Sequence, residues 1–299
     1  MSLHKSVLLH ESIDGLDLKE GDVYLDATVG SGGHMLYVWQ KFGEKVLLVG
    51  IDVDDTSLSI TKEKLELYGA KPKLANLNFR DIDRVTEILN IQKPNKILFD
   101  LGWSSDQFEE GGRGFSFKKD EPLIMTLKKD VTEEDITAYE VVNNWGEESL
   151  ADIIYGYGEE RFSRRIAKAI VEERNKKPIK TSKELAEIVK NAVPIFYRYG
   201  RIHPATRTFQ AIRIAVNDEL QALEEGIYKA IEMIELKGRI AIISFHSLED
   251  RIVKRILNKK KEEEIIEIIN KKPVEATEEE INQNRRARSA KLRILKKIR

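Results

Sequence analysis

The stretch Asp26-Ala27-Thr28-Val29-Gly30-Ser31-Gly32-Gly33-His34 decides the fold of this chain. It lies between a short apolar run at 23–26 and a helical pattern at 34–42, so it is a strand-to-helix turn. Its glycines let the backbone adopt positive φ and approach a ligand closely, and the helix N-terminus behind them favours an anionic or carboxylate group. A dinucleotide fingerprint needs Gly or Ala where Met35 stands, and a P-loop needs Gly-Lys-Ser/Thr, so neither motif is present.

The sequence around this turn alternates between strand and helix patterns. Apolar runs end at acids, as 46–51 does before Asp52. Uninterrupted apolar runs are typical of parallel strands that are buried on both faces. The predicted strands are 23–26, 46–51, 73–79 and 96–99, and the predicted helices between them are 34–42, 56–68 and 83–89. This rhythm predicts an α/β fold with a doubly wound parallel sheet.

The strand pattern stops at about Ser105 and is absent up to Pro204. The helices predicted in this part of the chain are 133–142, 147–154, 162–174 and 181–193, the last with Thr181 and Glu184 at capping-box spacing. The elements predicted after it are a long helix at 205–236, a strand at 239–245 and a closing hairpin from 264–270 and 290–298. We therefore expect one domain made of residues 1–105 and 206–299, interrupted by an all-helical domain at 106–205.

The turn has the pattern D-x-x-x-G-x-G-G, which resembles the first motif of class I methyltransferases. Asp52 ends the next strand, where an acid can accept both hydroxyls of a ribose. The alternative is a generic tight turn, with Asp52 as the N-cap of the following helix. The loop, the spacing and the acid together favour a site for S-adenosylmethionine.

Asp100 and His246 lie at the ends of two further predicted strands, and open α/β sheets bind ligands at the carboxyl ends of their strands. An exocyclic aromatic amine needs an acceptor that holds it toward a methyl donor and takes up its developing positive charge. Asp100 is the candidate for that catalytic role, but it could also orient the cofactor or cap a helix. His246 could be a catalytic base, a ring for base stacking or a buried hydrogen-bonded residue. Ser247 and Asp250 have the spacing of a capping pair.

Composition excludes several classes of protein. Of the 299 residues, 50 are basic and 51 acidic, so the net charge of −1 does not by itself indicate a nucleic-acid partner. The absence of cysteine excludes disulfides, thiolate catalysis and Cys-ligated zinc, and it fits a cytoplasmic location. The apolar runs are too short to cross a bilayer and the five histidines form no metal-binding motif, so we expect neither membrane insertion nor a metal.

Local clusters of basic residues do indicate a nucleic acid. Residues 284–299 contain eight basic residues, including Arg286 and Arg288, and no acid. Basic residues also cluster within 161–168, and within 197–207 they are interleaved with aromatic residues. One face of the predicted helix at 205 carries an acid-free polar stripe formed by Arg207, Gln210, Arg213 and Asn217. Such surfaces suit phosphate contacts and base stacking, so we expect the stripe and the two arginines to contact RNA. The alternatives are a solvated tail and an ordinary amphipathic helix.

Taken together, these segments resemble the small-subunit ribosomal RNA (cytosine-N4)-methyltransferases of the MraW/RsmH type. The matching motifs are spread over most of the chain and include 26–34, Gly50-Ile51-Asp52, Asn78-Phe79-Arg80, Asp100-Leu101-Gly102, Arg113-Gly114-Phe115-Ser116-Phe117, 203–216, 244–251 and 286–289. The resemblance implies a class I methyltransferase fold with a helical domain inserted after the fourth strand. It also implies transfer of a methyl group from S-adenosylmethionine to the exocyclic amine of a cytidine in the decoding region of 16S rRNA, with the small ribosomal subunit as partner.

The resemblance also assigns residues by position. It places the cofactor contacts at Gly32, Gly33, His34, Asp52, Phe79, Asp100 and Gln107. Phe79 is expected to lie against the adenine of the cofactor. For the oligomeric state, a homodimer is one open alternative.

One segment departs from the family pattern. Where such proteins usually read Pro-Leu-Asp-Met-Arg-Met-Asp, this chain reads Pro122-Leu123-Ile124-Met125-Thr126-Leu127-Lys128. Two acids and a base are therefore missing from a stretch expected near the substrate, with Ile124 and Thr126 among the replacements. This leaves open a ribosome-assembly factor that binds S-adenosylmethionine and RNA with weak or altered activity. A DNA amino-methyltransferase would need prolines after Asp100, and a nicotinamide dehydrogenase fails at Met35.

Overall fold

The computed structural model describes residues 5–102, 112–128, 131–132 and 135–299. The chain forms two compact units, one of Met1–Ser104 with Leu220–Arg299 and one of Ser105–Glu219, which we call the sheet unit and the helical unit. The second boundary differs from the expected one at 205/206. The helical unit continues to Glu219 because the helix that begins at Ala205 buries Phe209 and Ile212 in that unit's own core.

The sheet unit is built on eight strands in the order β3-β2-β1-β4-β5-β8-β6, with β7 paired to β8. The strands are β1 Val23–Asp26, β2 Leu47–Asp52, β3 Lys73–Asn76, β4 Lys96–Asp100, β5 Arg239–Ser244, β6 Ile266–Ile268, β7 Val274–Glu275 and β8 Lys291–Lys297. The neighbours from β3 through β5 run parallel, whereas β8 runs antiparallel to β5, β6 and β7. The predicted doubly wound sheet and the predicted closing hairpin, now β6 with β8, are both confirmed.

The helices of the described residues surround this sheet or form the helical unit. In chain order they are α1 Leu9–Leu16, α2 Gly33–Phe42, α3 Asp55–Glu66, α4 Val85–Ile88, α5 Ala138–Asn144, α6 Glu147–Gly156, α7 Ser163–Arg174, α8 Ser182–Ala192, α9 Ile195–Arg198, α10 Ala205–Asn217, α11 Glu219–Met233, α12 Ser247–Glu262 and α13 Glu278–Gln283. Short 3-10 helices cover Gly43–Lys45, Phe79–Arg84 and Arg285–Ser289.

Successive residues of the parallel strands are buried on opposite faces of the sheet. Leu25 and Phe99 belong to one apolar cluster, together with residues of α11 and α12. Tyr24 and Leu98 belong to another cluster, together with residues of α1, α2 and α3. Side chains alternate along a strand and both faces are covered, so these strands read in the sequence as continuous apolar runs.

The helical unit has a core of its own. Leu123, Ile166, Leu185 and Ile212 are among the buried residues of a single apolar cluster. Helix α8 begins with the predicted capping box, because the Thr181 side chain accepts from the Glu184 backbone N–H while the Glu184 carboxylate accepts from the Thr181 backbone.

Two predicted elements differ from those observed. The single helix expected at 205–236 is two helices, because Asp218 adopts a left-handed conformation with φ of 49° and ends α10. The strand expected at 73–79 stops at Asn76. Asn78 accepts a hydrogen bond from the backbone N–H of Arg80 and thereby starts a 3-10 helix at Phe79.

Candidate active site

The glycine-rich turn joins β1 to α2 and is held in place by α3. Gly30 and Gly32 adopt φ of 50° and 68°, in the left-handed region that favours glycine. A Cβ atom on Gly32 would lie 2.6 Å from a methyl carbon of Thr61. The Thr61 hydroxyl donates to the Gly30 carbonyl at 2.9 Å and the Lys64 ammonium donates to the Ser31 carbonyl at 3.0 Å. The turn is therefore held by close packing against α3, which leaves no room for a side chain at Gly32.

Asp52 ends β2 and is tied to the same turn. One of its carboxylate oxygens accepts from the Gly30 backbone N–H at 2.8 Å and the other accepts from the Asp54 backbone N–H at 2.9 Å. The N-cap of α3 is Asp54, whose side chain accepts from the Thr56 backbone N–H. The alternative in which Asp52 caps that helix is therefore wrong. Burial raises the pKa of Asp52, against the effect of these backbone hydrogen bonds.

Asp26 and Asp100 end the neighbouring strands β1 and β4. The Asp26 carboxylate accepts from the Thr28 backbone N–H at 3.1 Å and from the Tyr24 hydroxyl at 3.3 Å. The Thr28 hydroxyl accepts from the Asp100 backbone N–H at 2.7 Å, which joins the two strand ends. The Asp100 carboxylate accepts from the Gly102 backbone N–H at 3.3 Å. The two acids thus belong to one hydrogen-bonded group.

The Asp26 carboxyl group is buried, the Asp100 side chain is largely buried with 16% of it exposed, and the two groups repel each other. Burial, and then the charge of Asp52, raises the pKa of Asp26 to about 7. Burial, and then the charges of Asp26 and Glu249, raises the pKa of Asp100 to about 8. The buried His34 ring places Nδ1 3.6 Å from an Asp100 oxygen. A pair of acids with raised pKa values favours a cationic ligand, because a nearby positive charge stabilises the ionised carboxylates.

Phe79 comes shortly after the end of β3. This strand pairs with β2, whose last residue is Asp52. The Phe79 ring meets Phe99 edge to face, with 6.0 Å between the ring centroids. Gly226 of α11 approaches closely, since a Cβ atom there would lie 2.9 Å from the Phe79 carbonyl oxygen. Phe79 is thereby fixed next to the ends of the strands while staying partly exposed. Its contact with an adenine stays a prediction.

His246 has a structural role that the sequence assigned to its neighbour. It is the N-cap of α12, and its Nδ1 accepts from the Glu249 backbone N–H at 3.4 Å. The Glu249 carboxylate accepts from the backbone N–H groups of His246 and Phe245. The predicted capping pair of Ser247 and Asp250 is therefore wrong by one residue. A catalytic role for His246 stays a prediction, and the capping box supports the structural alternative.

Asp26 and Glu249 belong to this site but were absent from the sequence-based candidates. The signal for Asp26 was the first acid of the D-x-x-x-G-x-G-G pattern. Glu249 offered no comparable signal, because its burial depends on the capping box at the start of α12. Gln107 and the rest of 103–111 lie outside the described residues, so the structure adds nothing on that predicted cofactor contact.

The four polar side chains of the stripe on α10 are engaged within the helical unit. Arg213 forms a two-pronged ion pair with Glu219, with N–O distances of 2.8 and 2.9 Å, and only 12% of its side chain is exposed. Asn217 donates to the Met125 carbonyl and accepts from the Leu127 backbone N–H. Arg207 and Gln210 donate to backbone carbonyls of 157–159. These contacts show a structural role, and RNA contact stays a prediction for all four.

The segment that departs from the family pattern is packed inside the helical unit. Thr126 is buried, as are its neighbours Leu123 and Met125. The Arg113 guanidinium donates to three backbone carbonyls of 126–128. The replacement residues are thus accommodated by burial and by hydrogen bonds to the backbone.

Arg286 and Arg288 lie on the 3-10 helix Arg285–Ser289. Asn284 caps the start of this helix, because its side chain accepts a hydrogen bond from the Arg286 backbone N–H. Ala287 between them is buried, while both arginines are exposed. Both arginines therefore lie on the surface of the sheet unit.

Other kinds of site find no support in the described part of the chain. Among those residues, His, Asp and Glu side chains form no group of three or more that would hold a metal ion. The helices of the same residues lack the length and the apolar character needed to span a membrane.

The parallel sheet with one antiparallel strand, the glycine turn after β1 and the acid after β2 define a class I methyltransferase. The chain matches the MraW methylase family over residues 1–298 and belongs to that family. "Ribosomal RNA small subunit methyltransferase H" of Sulfurihydrogenibium sp. (strain YO3AOP1) is 48% identical over 295 residues, which is 99% of each chain. The protein of the same name from Brevibacillus brevis is 42% identical over 310 residues, covering 99% of this chain and 98% of the relative.

Among solved structures, a methyltransferase from Streptococcus mutans in complex with SAH aligns with a TM-score of 0.46 and 14% identity, over 99% of this chain and all of the other. Family membership makes the chain a methyltransferase that uses S-adenosylmethionine. It thereby favours turnover over the alternative of a binding factor.

The residues of the site fit this cofactor. S-adenosylmethionine carries a positive sulfonium and a positive ammonium group, which suit the buried acids Asp26 and Asp100. Asp52 at the end of β2 offers carboxylate oxygens to ribose hydroxyls. The glycine turn, closed by α3, offers backbone to a ligand at close range. These are the residues that would hold the cofactor, and their roles stay proposals.

Proposed function

We propose that this chain methylates the exocyclic N4 amine of a cytidine in the decoding region of small-subunit (16S) ribosomal RNA. The observation that supports this most directly is the position of Asp100, a largely buried acid at the carboxyl end of β4 beside the glycine turn. The names of the relatives, which specify the small ribosomal subunit, support the choice of RNA.

The proposed chemistry needs an acceptor next to the amine. S-adenosylmethionine, when bound, supplies a methyl group on an electrophilic sulfonium. The Asp100 carboxylate accepts a hydrogen bond from the amine and orients its nitrogen toward that methyl group. As the new N–C bond forms, the S–C bond breaks and its electron pair stays on sulfur, so the positive charge passes to the amine. The Asp100 carboxylate stabilises this charge and takes up the proton that the amine then loses. A second acid, Asp26, keeps the local field negative.

The proposed RNA contacts follow from charge. Arg286 and Arg288 project from the 3-10 helix of residues 285–289. Guanidinium groups bind phosphates with two hydrogen bonds, so these arginines would anchor the RNA backbone rather than select a base. We place the reaction in the cytoplasm, where small ribosomal subunits are available. A homodimer remains a hypothesis, which the mass of the protein in solution would test.

The decisive experiment uses small ribosomal subunits that lack the modification. They are incubated with the protein and labelled S-adenosylmethionine, the RNA is digested, and nucleosides are identified by mass spectrometry. We expect N4-methylcytidine that maps to the decoding region, and its loss in Asp100→Asn. Label in another nucleoside would contradict the assignment of the base. Cofactor binding without any methylated nucleoside, on subunits or free RNA, would favour the assembly factor.

A further inference from the structure

The helical unit exposes large apolar side chains in one short segment. Phe196 and Tyr199, at α9 and just after it, are 70% and 85% exposed, and Ile195 is 70% exposed. Together with the exposed Arg161 we call these residues the Phe196 surface. Clustered exposed apolar residues mark binding sites more often than isolated ones do.

This surface rests on a firmly held base. The Tyr197 hydroxyl donates to the fully buried Glu160 carboxylate at 2.6 Å. The Tyr197 ring meets Phe162 edge to face at 5.0 Å. The Arg198 guanidinium donates to the carbonyls of Val193 and Asn191 at 3.1 and 2.8 Å. Tyr197 and Arg198 therefore anchor the segment, and the exposed Phe196 and Tyr199 lie on either side of them on a fixed backbone.

The charges around the exposed rings are mainly positive. The Arg161 guanidinium lies 6.0 Å from the Phe196 ring centroid and 5.3 Å from that of Tyr197, in cation–π range. The exposed Arg164 and Arg165 follow in the first turn of α7. Within 159–168 and 193–203 the acids are Glu159 and the buried Glu160. Flat rings rimmed by guanidinium groups suit stacked bases and phosphates.

We infer that the Phe196 surface binds an unpaired stretch of the substrate RNA other than the methylated cytidine, with bases stacking on Phe196 and Tyr199 and phosphates contacting Arg161. A paired helix keeps its bases stacked inside, so the aromatic rings select single-stranded RNA. The inference rests on the proposed function, because it takes RNA as the substrate.

The test compares the affinities of variants of the whole protein for a labelled unpaired RNA oligonucleotide and for the same sequence in a duplex, by fluorescence anisotropy. The double variant Phe196→Ala/Tyr199→Ala should bind the unpaired RNA about tenfold or more weakly, with an unchanged salt dependence, because no charge is lost. Arg161→Gln should lower the slope of log affinity against log salt by about 0.7. Tyr68→Ala, an exposed aromatic of the sheet unit, is the matched control and should change nothing.

Several outcomes would overturn the inference. Equal losses for unpaired and duplex RNA would exclude selection by stacking. Unchanged RNA affinity with a fall in mass from dimer to monomer would assign the surface to a second copy of the chain. Unchanged affinity for free RNA with weaker binding to ribosomal subunits would assign it to a protein partner. If the unaltered protein binds no RNA at all, the proposed function fails; if it binds RNA and the double variant binds equally, only the Phe196 surface fails.

Discussion

Cofactor binding should depend on pH through the two buried acids at the ends of β1 and β4. The pKa of Asp100 is about 8 and that of Asp26 about 7 without a ligand, so both are mainly protonated at pH 6. A cationic ligand favours the ionised forms, so the affinity for S-adenosylmethionine should rise as pH increases through these values and level off above them. Tyr24, His34, Asp52 and Glu249 are the other titratable groups at this strand edge.

The size of the effect follows from the pKa values. Below its pKa, each acid that must lose a proton weakens binding about tenfold per pH unit. Asp100 alone therefore accounts for a change of about 100-fold between pH 6 and pH 9, and Asp26 for about tenfold more. The amino group of the ligand titrates near pH 8, so affinity must be compared between two proteins in the same buffer.

The assay is isothermal titration calorimetry of the protein and of Asp100→Asn at pH 6, 7, 8 and 9. The ratio of their association constants should rise about 100-fold from pH 6 to pH 9, because Asp26 ionises in both proteins and only the unaltered protein also gains the Asp100 carboxylate. Titrations in two buffers of different ionisation enthalpy should show proton release near pH 7. A ratio that stays constant across this range, with both proteins folded by circular dichroism, would refute the argument that Asp100 faces the cationic ligand.

Gly32→Ala should lower the free energy of unfolding by at least about 1 kcal/mol, because the residue has positive φ and the new methyl group would lie 2.6 Å from α3; an unchanged melting temperature would count against this packing. Asp54→Ala should cost about 1 kcal/mol by removing the cap of α3, with cofactor affinity preserved. Asp52→Ala should instead abolish cofactor binding. Retained binding would disprove the assignment of Asp52 to the cofactor. Arg213→Gln should destabilise the protein by about 3 kcal/mol, because it breaks the largely buried ion pair with Glu219. Weaker RNA binding at unchanged stability would instead indicate that Arg213 contacts RNA. Arg286→Ala should weaken RNA binding and lower its salt slope by about 1, and an unaltered slope would argue against a phosphate contact.

The sequence predicted the local features whose signals lie close together in the chain. The glycine turn, the apolar strands and the capping box at Thr181 each depend on residues only a few positions apart. The break at Asp218 gave no such signal, because a left-handed aspartate ends a helix through backbone conformation rather than through a change in the apolar pattern. The sequence therefore predicted one uninterrupted helix at 205–236, across Asp218.

The same break explains a contact of the polar stripe that the sequence did not predict. Glu219 lies six positions after Arg213, where a continuous helix would turn it away, and the bend at Asp218 brings the two together. The stripe itself has no acid, but an acid from the start of α11 pairs with one of its arginines. The coupling of Asp26 with Asp100 was missed for a related reason, because the two acids meet only when β1 and β4 pair.

The position of β8 sets the order in which the chain can fold during synthesis. Residues 291–297 pair with β5 on one side and with β6 and β7 on the other, so the sheet stays incomplete until they have been made. The helical unit is contiguous and its last residue, Glu219, is made well before them. Domains generally fold as units as they emerge, and contacts between distant residues form slowly. The helical unit should therefore reach its native state before the sheet is complete. In refolding experiments, the slow step should be the pairing of β8 with β5, β6 and β7.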